Sequence, residues 1–105
     1  MNSFSDISQT VLELSSAMLA AAREGDFETV RGMDIKRRQL VEQLFLKIPE
    51  GEEGVQSLRQ VVEQIQTLDS ALMQLIRQER DQAAHQLQQL KKQNRASRAY
   101  QTVDG

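Results

Sequence analysis

The stretch Ala22-Arg23-Glu24-Gly25-Asp26-Phe27 decides the fold. Glycine enters the left-handed backbone region cheaply and so closes a helix. An Asp directly after it accepts backbone hydrogen bonds and opens the next one. A break this short sends two helices back along each other as an antiparallel hairpin.

Upstream of the break, Ile7, Val11, Leu14, Met18 and Ala21 or Ala22 recur at helical spacing, and Leu12 and Leu19 add a second partial strip. This predicts a first helix over about residues 6–24, capped by Ser5 or Asp6. Downstream, Phe27, Val30, Met33, Arg37, Leu40, Val41, Leu44, Phe45 and Ile48 predict a second helix over about residues 27–47. Gly32 weakens it locally and would permit close helix contact. Pro49 stops it, because the residue before a proline avoids the helical region. Residues 48–54 form the one clear loop, rich in Gly and Glu.

Beyond that loop Leu58, Val61, Val62, Ile65, Leu68, Leu72, Leu75, Ile76, Ala83, Leu87 and Leu90 keep helical spacing. A third helix over about residues 55–97 would span roughly 65 Å, against about 30 Å for each of the others. Two short helices cannot cover a long one throughout. The expected architecture is all-α: a single domain, residues 1–105, built as an antiparallel three-helix bundle with a long third helix and a flexible tail at residues 98–105. With 5 Gly, 1 Pro and no Trp, composition favours helix over strand.

There is no Cys, so no disulfide framework and no thiolate metal site. His85 is the one imidazole, and Asp81 four residues before it makes two metal ligands without a third. No glycine-rich phosphate loop occurs. Helical chorismate mutases pair one long helix with two shorter ones, and Arg37, Arg77, Arg80 and Glu79 could be cast in their roles. In that family the long helix comes first, whereas here it comes last. The reading is a non-enzyme with no cofactor and no metal.

Net charge is −2, unevenly spread: residues 1–54 carry 6 Lys/Arg against 10 Asp/Glu, and residues 55–105 carry 7 against 5. Lys91, Lys92, Arg95 and Arg98 have no acid between them. Without interleaved aromatics they read as a solvated face or as partners of the helix C-terminus, rather than as a nucleic-acid site. The start of the chain has neither the basic nor the apolar region of a signal peptide, and no apolar run is long enough for a membrane span, so a cytoplasmic location is expected.

The run Ala22 to Phe27, the later Leu75-Ile76-Arg77-Gln78-Glu79-Arg80 with Leu87-Gln88-Gln89-Leu90, and the ending Arg95-Ala96-Ser97-Arg98-Ala99-Tyr100-Gln101 together resemble the FliT-type flagellar export chaperones. The resemblance covers most of residues 10–101. It implies a flagellar type III export chaperone that binds the C-terminal region of the filament-cap protein, keeps it unassembled and delivers it for export. It also implies contact with export-apparatus components and with a flagellar transcriptional activator. Longer members carry a fourth C-terminal helix, and the likeness here is to a short form lacking most of it.

An apolar stripe beyond the reach of the short helices suits a partner helix. The expected contacts are Leu68, Leu72, Leu75 and Ile76, with Leu44 or Phe45 as groove wall, Arg77 and Arg80 setting register, and Tyr100 carried over from the ending motif. The same stripe would equally serve a self-paired homodimer, the alternative being a coiled-coil structural or regulatory protein without a client.

Overall fold

The computed structural model describes residues 3–103, with side chains described for residues 3–98. Three helices follow in order: α1 (Phe4–Arg23), α2 (Phe27–Leu46) and α3 (Gly51–Val103). Among the described residues there is no strand. The chain divides into two compact units, Met1–Leu75 and Ile76–Gly105. The apolar residues thin out after Ile76, so less is available there for burial.

The first unit is an antiparallel bundle of α1, α2 and the first part of α3. α1 ends at the quoted break. Gly25, at φ +78, donates its N–H to the Ala22 carbonyl at 3.0 Å, and Asp26 N–H donates to the Ala21 carbonyl at 2.9 Å. These two bonds satisfy the last carbonyls of α1 in a Schellman turn. Asp26 then caps α2: Thr29 donates to its carboxylate from the backbone N–H at 3.2 Å and from Oγ1 at 2.6 Å. Those two bonds hold the Asp26 carboxyl below the ordinary carboxylate range, the hydroxyl contributing most.

Element ends differ from the sequence expectation at three places. α1 is capped by Ser3 rather than by Ser5 or Asp6. Asp6 N–H donates to Ser3 Oγ at 3.2 Å and Ser3 N–H donates to Asp6 Oδ2 at 3.4 Å, a reciprocal capping box. The earlier start sets Phe4 in register with Ile7 and Val11, and all three are buried. α3 begins at Gly51, inside the expected loop, because Glu52 and Glu53 favour the positive end of the helix dipole. It runs to Val103, so the expected tail is helical up to that residue, through Ala, Arg and Gln that favour helix.

Phe4, Ile7, Val11, Leu44 and Val61 form the core cluster, with Leu40, Val41, Ile48, Leu58 and Ile65 packed against it. Met18, Leu19, Ala22, Val30 and Leu72 are buried as well. Gly54 is buried where α3 starts, and a Cβ there would fall onto the Pro49 carbonyl oxygen. Gly32 is exposed, with nothing near the position of a Cβ, so it does not serve close helix contact.

These two glycines predict opposite responses to the same substitution. Gly54→Ala should lower stability by about 1–3 kcal/mol through overpacking, and Gly32→Ala should raise it by up to about 1 kcal/mol through helix propensity; thermal melts followed by circular dichroism compare them directly. Asp26 gives a pH signature. Its carboxyl titrates lower in the folded chain than in the unfolded one, so its contribution is present above the unfolded value and lost as pH falls through the folded one. Asp26→Asn keeps an acceptor at the cap but should flatten that part of the acid limb of stability against pH.

Candidate partner-binding groove

α2 buries a narrow stripe. Val30 and Leu44 are buried, and Arg37, seven residues from each, is 13% exposed at its side chain. The heptad spacing keeps these three on one face toward α1 and α3. Beside it Val41 is half-buried against the core and Phe45, one turn on, is exposed. On α3, Val61 and Leu72 are buried and Ile65 is half-buried, with Val62, Gln66 and Asp69 on one flank of that stripe.

Between these two flanks lies a groove of about 560 Å³ within the first unit. Val41 and Phe45 line it from α2, Leu58, Val62 and Ile65 from α3, and Leu44 forms its floor. Phe45 is 56% exposed, a large apolar area for an aromatic ring to leave to water. That volume falls in the range of ligand pockets, yet the opening and the helical walls suit an amphipathic helix better than a small molecule.

One end of the groove is polar. Arg37 Nη1 donates to Asp69 Oδ1 at 2.6 Å and to Ser15 Oγ at 3.1 Å, and its Nη2 donates to Asp34 Oδ1 at 3.2 Å. Ser15, itself buried, donates to the Val11 carbonyl at 2.8 Å. Arg38 pairs with the other oxygen of Asp34 at 2.9 Å. One guanidinium thus joins α1, α2 and α3. Its planar fork makes this possible, since an ammonium is a point charge.

The expected contact residues separate on this geometry. Leu44 and Phe45 line the groove, Leu44 as a buried floor residue. Leu72 is buried in the bundle, and half-buried Leu68 and Leu75 lie on the flank of α3 away from Val62 and Asp69, so none of the three lines the groove. In the second unit Ile76 is half-buried while Arg77 and Arg80 are exposed. The Tyr100 side chain lies outside the described residues.

Leu58, Val62, Asp34 and Asp69 are not singled out as groove residues by sequence alone, because Leu58 and Val62 merge with Leu68, Leu72 and Leu75 into one apolar run at helical spacing. A signal existed in Arg37, a charge on an otherwise apolar face, with Asp34 three residues earlier and Asp69 at helical spacing from Val62, Ile65 and Leu72.

His85 is exposed, and its Nε2 lies 3.2 Å from Gln89 Nε2. Among the described residues no group of three or more His, Cys, Asp or Glu is placed to hold a metal ion, and no helix is long and apolar enough to cross a membrane.

The described residues thus form a helical bundle with an apolar groove that ends in an ion-paired cluster. The family model for flagellar protein FliT matches residues 5–102, and the chain belongs to that family. It is a family of flagellar export chaperones, not of enzymes. No curated protein and no solved structure matched the chain.

The three-helix clamp predicts a measurable loss. Asp69 is 37% exposed at its side chain, so solvent screens the pair and the cost falls below that of breaking a fully buried one. Arg37→Met should cost about 1–3 kcal/mol, from lost charge-assisted hydrogen bonds, which for a domain of this size is a drop in Tm of roughly 4–8 °C per kcal/mol. Arg37→Lys should recover little of it.

Proposed function

We propose that this chain is a cytoplasmic chaperone of flagellar type III export whose client is the C-terminal region of the filament-cap protein. A client helix lays its apolar face into the α2–α3 groove over Phe45, Val41, Leu58 and Val62. The client then cannot assemble early, because the apolar surface it would use in the filament cap is covered. Release at the export apparatus exposes it again.

The observation that carries this reading is Phe45, more than half exposed at the wall of an apolar groove. Burying apolar area at roughly 25 cal/mol per Å² drives docking, and aromatic anchors at groove centres carry a disproportionate share of interface energy. The ion-paired cluster of Asp34, Arg37, Arg38 and Asp69 closes one end and limits how far a client helix can slide. Glu42, exposed at the groove edge and without an ion pair among the described residues, suits a basic residue on the client. Membership of an export-chaperone family supports the same reading.

The test is co-elution of the chain with the C-terminal segment of the cap protein, with light scattering on free and mixed samples. A one-to-one complex is the expected result. Phe45→Glu should weaken it at least about tenfold, a loss on the hot-spot scale, while leaving helicity unchanged, because Phe45 lies outside the core cluster. A charge at Leu72 is the wrong variant, since that residue is buried and would damage packing. A stable dimer that ignores the cap segment would replace this reading with that of a self-associating helical protein.

A further inference from the structure

The second unit has a surface that the client groove does not use. All described side chains from 77 to 98 are exposed, among them Leu87 at 54% and Leu90 at 62%. Charge divides at the same boundary as the units. Residues 1–75 carry 7 Lys/Arg against 12 Asp/Glu, net −5, and residues 76–105 carry 6 against 3, net +3.

The positive charge is arranged. At 3.6 residues per turn, Arg77, Arg80, Lys91 and Arg95 fall within a sector of about 60°, directly beside the stripe of Leu87 and Leu90. None of these four cations has an ion pair or hydrogen bond among the described residues. The opposite flank of the same stripe carries Glu79, Gln86 and Gln93 and no cation.

We infer that this face is a second docking site, and that its occupant is an acidic amphipathic helix of another protein, with leucine-type residues on the seam and Asp or Glu along the edge that meets the basic row. The arrangement argues against other anionic occupants. Nucleic acid has no use for two exposed leucines beside its phosphates, and base-stacking aromatics are absent from the face. A helix lying on a bilayer has lipid headgroups on both sides and takes cations on both flanks, with Trp or Phe on the apolar face. Here the cations occupy one flank. A second copy is disfavoured too, because pairing this face with itself would set basic rows against each other, or against a flank on which Glu79 is the one acid beside Gln86 and Gln93. A helix with an acidic edge answers both the leucine stripe and the row of cations.

The site is independent of the client groove, and its test is built to keep the two apart. The probe is a fluorescein-labelled synthetic helix of about three heptads with Leu at the seam and Glu at the flanking positions. Its control has the same composition with Glu moved to the far face. The full chain should bind the first about tenfold more tightly than the second. Lys91→Glu with Arg95→Glu should abolish that preference, and a probe with Lys in place of Glu should bind this variant in turn. Leu87→Ser with Leu90→Ser should remove binding of either probe. Co-elution with the cap-protein segment should be unchanged in both double variants. Equal binding of probe and control, no binding of either, or binding confined to a single-stranded oligonucleotide or to vesicles of phosphatidylserine and phosphatidylcholine overturns the inference.

Discussion

The first unit depends on one guanidinium. Arg37 reaches Ser15 on α1, Asp34 on its own helix and Asp69 on α3, joining positions 22 and 32 residues apart in the chain. Apolar side chains attract one another without specifying which turn of one helix meets which turn of another. A fork with fixed donor directions does specify it. The cluster of Phe4, Ile7, Val11, Leu44 and Val61 then packs in a single register, because sliding α1 by one turn would take Ser15 away from Arg37 and sliding α3 would take Asp69 away.

That register has a functional consequence. Once α2 is rotated so that Arg37 points inward, Val30 and Leu44 share the buried face and Phe45 is forced to its edge. The groove is therefore the remainder of a packing solution: two apolar flanks, one on α2 and one on α3, that the bundle cannot close with three helices alone. The polar cluster gives the groove an end, and the same ion pairs that set the register limit its length.

The two units are chemically opposite. The first is acidic, carries the core and presents an apolar groove. The second is basic and exposes its leucines.

The helical class, the order of the three helices and the break at Gly25-Asp26 were legible in the sequence, because each rests on local chemistry: a left-handed glycine, a capping carboxylate, a 3.6-residue period. The Ser3–Asp6 spacing was equally local and would have placed the first cap correctly. The lining of the candidate groove was only partly legible. Phe45 was visible as a groove residue, but Leu68, Leu72 and Leu75 merged with Leu58 and Val62 into one apolar stripe on α3. A single helix shows how its side chains are arranged around its own axis, not which sector its neighbours will cover. That choice is made by helix crossing and register, here through Arg37 and Asp69, and only the tertiary structure supplies them.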